Sequence, residues 1–220
     1  KHLGVIELFS KYSYYYISGI KTTIALSFFA LLIGSVLGGA LSLMRLSGSR
    51  ILKFISTVYI ELIRGTPILV QLSIVYFGSY VLLGIDINKF LSALIAVALN
   101  SAAYVAEIIR SGIQSIDKGQ MEASRSLGVS HKETMQHIIL PQAIKNILPA
   151  LGNEFVTLIK ETSVASVIGT ADLMYSSKIV TSKSYEAFTP LVVIAIIYFI
   201  LTFGISQIIR FFERRMAHND

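Results

Sequence analysis

The 220-residue chain is 54% hydrophobic and 15% charged, with a mean hydropathy of +0.68, whereas a soluble domain carries about 25% charged residues. So apolar a short chain needs a second apolar solvent, which the bilayer supplies. Its net charge of +6 falls between apolar runs, where it orients a membrane protein rather than binding nucleic acid, and the absence of cysteine excludes disulfides, thiolate metal sites and cysteine nucleophiles.

In chain order, segment 1–16 comes first. It carries Tyr12, Tyr14, Tyr15 and Tyr16 among mixed polar and apolar residues. It is too polar to span and reads as an amphipathic interfacial segment. Five apolar runs follow, at 17–44, 51–83, 87–109, 144–168 and 187–209. Each has the roughly 20 residues that a span requires. The first places Ala30, Gly34, Gly38 and Ser42 four residues apart, a small-residue stripe that admits a neighbouring helix closely. The second contains Gly65 and Pro67, where a bend or break is expected. The expected fold is therefore an all-α membrane protein. It has one transmembrane domain over 1–220, five transmembrane helices and a short cytoplasmic coupling helix within the loop 111–142.

Lys and Arg are richer on the side that holds Arg45, Arg50 and Lys53, the 110–145 loop, and Arg210, Arg214 and Arg215. By the positive-inside rule that side is cytoplasmic, with the amino terminus outside and the carboxyl terminus inside.

The 111–142 loop is built as a helix, a tight turn and a second helix. Asp117 is an N-cap, and Gln120 is placed to close a capping box. The first helix ends at Leu127, and Gly128 suits the left-handed residue beyond a helix C-terminus. Ser130 then caps a second helix with Glu133 at the matching position. Pro141 marks a restart before the fourth run. A compact exposed element of this kind reads as a docking knob for another protein. Glu122 and Arg125 offer charged contacts, while Ala123, Ser124 and Gly128 are small enough for close backbone approach.

Glu122, Ala123, Ser124, Gly128, Ile138, Leu140 and Pro141 resemble the EAA loop of ABC importer permeases, with Ser124 in place of the usual second Ala. The stretches 61–67 (Glu-Leu-Ile-Arg-Gly-Thr-Pro), 103–110 (Ala-Tyr-Val-Ala-Glu-Ile-Ile-Arg), 138–143 and 160–163 (Lys-Glu-Thr-Ser) are similar to the branch that transports polar amino acids. The resemblance covers nearly the whole chain and is weakest before residue 17. It implies a permease of the bacterial cytoplasmic membrane that works by alternating access in a dimer. Two separate cytoplasmic ATPase subunits would hold the ATP and Mg²⁺, and an extracytoplasmic amino-acid-binding protein would deliver substrate. It also implies that the loop's short helix sits in a groove of the ATPase.

Charged side chains at bilayer depth are costly, about 2.5–3.5 kcal/mol or more on insertion scales, and commonly mark function. Arg64 and Thr66 lie at the expected break, Asn100 in the third run, and Asn153 and Glu154 in the fourth, with Lys160 and Glu161 beyond them. Arg64, Asn100 and Glu154 fall near mid-depth and are candidates to line one pocket. Arg64 or Lys160 suits a substrate carboxylate. Glu154, Glu161 or carbonyls near Gly65 suit an ammonium group. Glu154 is the leading candidate, and an intramembrane carboxylate there favours a basic amino acid. The same charges also fit structural pairs: Arg64 with Glu107, Arg110 with Glu107, or Lys160 with Glu161 of a neighbouring helix.

The chain has no phosphate-cradling Gly-rich loop, zinc-protease motif or nucleophile elbow. It reads as a non-enzyme that binds no cofactor itself. His131 and His137 are six apart, poor spacing for one metal on a helix, and read as surface residues. An intramembrane enzyme is a further reading, but no catalytic dyad appears within the apolar runs. The alternative is an ATP-independent secondary transporter or channel, for which the inverted repeats usual in that class are not evident.

Overall fold

The structure is a computed structural model and describes residues 4–217. Lys1, His2, Leu3, His218 and the two residues after it, including the start of the interfacial segment 1–16, lie outside the described residues.

All regular structure among the described residues is helical. Helix α1 runs from Val5–Leu46 without interruption save one non-helical residue, Tyr12. Segment 5–16 is thus the first turns of the first long helix, and Leu8 and Tyr16 are fully buried against Leu173, Val180, Val193 and Ile194. Helices α2 (Arg50–Arg64) and α3 (Ile68–Leu83) meet at an angle of 105°. The break falls at Gly65–Thr66–Pro67, as expected. Proline supplies no N–H to continue the ladder and disfavours helical geometry in the residue before it. The freed carbonyls are recovered by a side chain: Gln71 Nε2 donates to Ile63 O at 2.8 Å and to Thr66 O at 3.2 Å.

Helix α4 (Lys89–Gln114) is the central helix and packs along α1. Lipid gives apolar side chains no drive to leave it, so helices in a bilayer join through close van der Waals contact. The four-residue stripe supplies that contact. Ala30, Gly34, Gly38 and Ser42 are all buried, and Ser42 Oγ donates to Ala106 O at 3.3 Å. A Cβ on Gly38 would lie 2.8 Å from Ala102 O and from Val105 Cβ.

Beyond α4 come α5 (Lys118–Ser126), α6 (His131–Thr134) and a π turn over Met135–Ile139, which leads directly into α7 (Leu140–Glu161). The expected restart at Pro141 is instead a continuous helical path with a π turn just before the proline. Leu140 N–H bonds Met135 O, a wider turn that relieves the crowding a proline ring imposes on the carbonyl four residues back. A 3₁₀ segment over Thr162–Ile168 follows α7, then α8 (Leu173–Ser184) and α9 (Thr189–Ala217). The sequence reading did not anticipate α8. Its alternation of Ser, Lys and Thr with apolar residues reads as a polar connection, yet Leu173, Ser176, Ser177 and Val180 are buried.

By length and composition, α1, α4 and α9 are able to cross a membrane, and the bent pair α2–α3 is a broken fourth candidate. The fourth apolar run, expected to be one of five spans, is α7. It is long enough, about 33 Å at the helical rise. It carries Gln142, Lys145, Asn146, Asn153, Glu154, Lys160 and Glu161, and that polar load keeps it out of the apolar set.

Candidate functional site

Three groups of polar side chains stand out, two within the bundle and one on the exposed loop. The first is centred on Glu107 of α4. Arg110, one turn on, donates from Nη2 to Glu107 Oε2 at 2.7 Å and from Nε to Oε1 and Oε2 at 3.2 and 3.1 Å. Arg45, at the end of α1, donates to Oε1. Arg64, at the end of α2, stands 3.8 Å from Oε2 with its guanidinium 5.9 Å from the Tyr104 ring centre. One carboxylate thus gathers guanidinium groups from three helices. The pairings of Arg64 and Arg110 with Glu107 match sequence expectation. Arg45 was missed, since nothing local in the sequence links it to residue 107.

The second group is Glu154 of α7. It is 8% exposed, and Ser101 Oγ of α4 donates to its Oε1 at 3.2 Å. No basic side chain is in ion-pair contact with it among the described residues. Glu154, Arg64, Tyr104, Arg110 and Asn146 line one cavity of about 720 Å³ between α4 and α7. Its wall therefore offers a carboxylate without a cation at one place and a guanidinium at another.

The remaining candidates separate from this cavity. Asn100 is buried and donates from Nδ2 to Gln71 Oε1 at 2.9 Å. Gln71 Nε2 in turn bonds Thr66 Oγ1 at 2.9 Å. Asn100, Gln71 and Thr66 thus clamp the α2–α3 break onto α4. Gln71 is a polar residue in an apolar run four positions after Pro67, and that placement is the signal which identifies it. Asn153 and Lys160 are exposed on α7, and Glu161, at its end, is half-buried.

The loop closes on itself through local bonds. Asp117 Oδ1 accepts from Gly119 N at 2.7 Å. The capping box expected from Gln120 does not form. Its amide instead donates to Gln142 Oε1 at 3.0 Å and ties α5 to α7. Gly128 has a φ of +85°, the left-handed conformation that ends α5. Ser130 and Glu133 form a reciprocal capping box: Glu133 N donates to Ser130 Oγ at 3.2 Å, and Ser130 N to Glu133 Oε2 at 3.1 Å. These bonds hold the Glu133 carboxyl below the usual carboxylate range.

Of the docking candidates, Glu122, Ala123, Arg125 and Gly128 are exposed. Arg125 Nη1 bonds Val129 O at 2.9 Å. Ser124 is 5% exposed and its hydroxyl lies 2.8 Å from that of Thr134, so it faces α6. Leu127, which the sequence reading passed over, is 84% exposed. An apolar side chain at the tip of a polar loop is the detectable signal for it.

Among the described residues no group of three or more His, Asp or Glu residues is arranged to hold a metal ion.

Residues 30–218 match the family model described as "Binding-protein-dependent transport system inner membrane component". The chain is 42% identical over 204 residues to the arginine transport system permease protein ArtQ of Bacillus subtilis, covering 93% of each chain. It is 42% identical over 208 residues to GlnP of Rickettsia bellii, a permease named for glutamine transport, covering 94% of this chain and 95% of that one. A chain in the crystal structure of an amino acid ABC transporter with histidines superposes with a TM-score of 0.94 at 46% identity, covering 98% of this chain and 100% of that one. A chain of the MetNI methionine ABC transporter in an inward-facing form, at 20% identity and a TM-score of 0.72, shares the fold.

Proposed function

The chain belongs to the binding-protein-dependent transport system inner membrane components, and on that premise we propose that it carries polar amino acids, basic ones in particular, through the cavity between α4 and α7. Membership makes it the permease subunit of an ABC importer, with ATP hydrolysed on a separate subunit and substrate brought by a binding protein. The observation that carries the substrate reading is Glu154: a buried carboxylate with Ser101 as its hydrogen-bond donor, facing a cavity that also holds Arg64. A carboxylate shielded from water and lacking a cation attracts one strongly. Arginine or histidine would meet Glu154 with its side chain or its ammonium group, and Arg64 would hold the carboxylate. Among the relatives, one is named for arginine and one was solved with histidines, while others of equal identity are named for glutamine, so the preference for a basic substrate rests on Glu154.

In this reading α7 completes a set of five spans, the broken pair α2–α3 counting as one. Asn153 and Lys160, exposed on α7, are expensive to present to lipid. A second permease, most simply an identical copy, would cover them. The 111–142 loop faces the cytoplasm and the amino terminus lies outside, following the basic residues at the loop side. Glu122, Ala123, Leu127 and Gly128 would face the ATPase, while Ser124 acts from behind by fixing α5 to α6. Thr66 and Asn100 hold the break that shapes the pathway, and Glu161 marks the far end of α7.

Glu154→Gln in the reconstituted complex tests the substrate reading. A hydrogen bond to a charged group is worth about 1.5–3 kcal/mol, so arginine uptake should fall about tenfold or more while glutamine uptake changes little. Equal losses for both substrates, or no loss for either, would overturn the assignment.

A further inference from the structure

A second cavity of about 350 Å³ lies on the other side of the Glu107 cluster. It is enclosed by the end of α1, the beginning of α2 and the end of α4. Its polar lining is Ser42, Arg45, Lys53, Thr57, Arg110 and Gln114. No residue of α7 lines it, and it shares Arg110 alone with the cavity holding Glu154.

The charge there is unbalanced. Three cations line it and no acid does. The acid within reach is Glu107, bound to Arg45 and Arg110 and shared with Arg64. Lys53 has no ion-pair partner among the described residues and is exposed. With Arg110 held by Glu107 one turn before it, a plain account, a cation at a helix end interacting with the terminal carbonyls, fits Arg45. It leaves Lys53, in the first turn of α2, where a cation is disfavoured by the helix dipole. It also leaves a concave space with hydroxyl and amide groups on its wall.

The surroundings identify the ligand. All three elements have their ends here, so the cavity lies at the level of a membrane surface. Beside it are exposed apolar side chains: Leu43 at 72%, Leu46 at 56%, Ile51 at 71% and Phe54 at 70%. A ligand with an anionic head and apolar tails satisfies both features. Basic recesses between transmembrane helices suit phospholipid headgroups for this reason.

We infer that the recess formed by Arg45, Lys53 and Arg110 binds the phosphate of an anionic phospholipid such as phosphatidylglycerol. The guanidinium groups offer forked donors to phosphate oxygens and Lys53 a point charge. The acyl chains lie along the apolar face of α2.

The test uses the assembled transporter in nanodiscs of phosphatidylcholine with phosphatidylglycerol, extracted in mild detergent, with retained lipids counted by mass spectrometry. Variants are Lys53→Gln, Lys53→Arg, and Arg50→Gln as a nearby cation outside the cavity. One cation near an anionic surface is worth about 1 kcal/mol, so Lys53→Gln should retain about fivefold less phosphatidylglycerol relative to phosphatidylcholine. Lys53→Arg should retain it, and Arg50→Gln should behave as wild type. In a second arm, short-chain phosphatidylglycerol or inorganic phosphate is added to the delipidated complex. The lipid alone should raise Tm, and Lys53→Gln should abolish the rise. If inorganic phosphate raises Tm equally and Lys53→Gln abolishes that too, the anion site stands and its source is soluble phosphate. Retention by Lys53→Gln equal to wild type, or an equal loss in Arg50→Gln, overturns the inference.

Discussion

The exposed loop and the Glu107 cluster are both polar and both held by charged side chains, but they are built in opposite ways. In the loop, most of the bonds that shape it join residues two to five positions apart, such as Asp117 to Gly119 and Ser130 to Glu133. In the cluster, Arg110 is a local partner of Glu107 but Arg45 reaches it across 62 positions; in the neighbouring group, Glu154 meets Ser101 across 53. A local device is fixed by adjacent sequence and survives when its surroundings move. A long-range one depends on every helix that brings its members together. In the function proposed above, the loop would gain from the first construction, because it would transmit force between subunits, and the pathway from the second, because it would rearrange.

That contrast can be tested through stability. Glu107→Gln leaves three guanidinium groups without their carboxylate. Breaking a buried ion pair costs about 3–5 kcal/mol. The arginine side chains here are 26–42% exposed, which lowers the expected cost to about 2 kcal/mol. Thermal unfolding of the purified complex should show the largest drop of any single polar substitution. A shift no larger than that of a loop variant would erase the distinction between the two regions.

Gly38→Ala probes the packing that brings Arg45 to Glu107. The new Cβ would meet a backbone carbonyl and Val105 at 2.8 Å. Overpacking of this sort costs about 1–3 kcal/mol. The melting temperature should fall, and the exposed-loop bonds should be unaffected in amide exchange. Wild-type stability in Gly38→Ala would mean that α1 and α4 are not closely seated.

The smallest effect belongs to Glu133. Its carboxyl pKa is lowered by the Ser130 hydroxyl and N–H. The folded loop therefore binds this proton less tightly than the unfolded one. Its stabilisation is present above the ordinary value of 4.5 and fades as pH falls through the lower, folded pKa. An NMR titration should place the Glu133 midpoint below 4.5 in wild type and raise it towards the ordinary range in Ser130→Ala, which removes the hydroxyl but keeps the N–H. An unshifted wild-type midpoint would show that the capping box does not form in solution.

The same division explains what could be read in advance. Gly128, Ser130 and Glu133 were legible because their roles depend on neighbours in sequence. The break at Gly65–Pro67 and the stripe from Ala30 to Ser42 were legible for the same reason. Gln120 carries a local signal for a capping box, but Gln142, 22 positions away, outcompetes Asp117 for its amide. Arg45 and Gln71 act through contacts that exist only once the helices are packed. Depth alone groups Asn100 with Arg64 and Glu154. Depth along a helix does not fix which face a residue occupies, and Asn100 faces Gln71 instead. α7 divides the two views: apolar enough to stand out as a run in the sequence, yet too polar to stand beside α1, α4 and α9 as an apolar membrane helix.

The measurement that bears most directly on the account is substrate-stimulated ATP hydrolysis by the reconstituted complex with Leu127→Asp. Leu127 is 84% exposed, so the substitution should leave the permease folded and alter only what the loop tip meets. The account predicts that the variant assembles in the membrane, binds substrate as wild type does, and loses stimulated hydrolysis and uptake together. Stimulated hydrolysis and uptake at wild-type levels would contradict the assignment of this loop as the contact between motor and pathway.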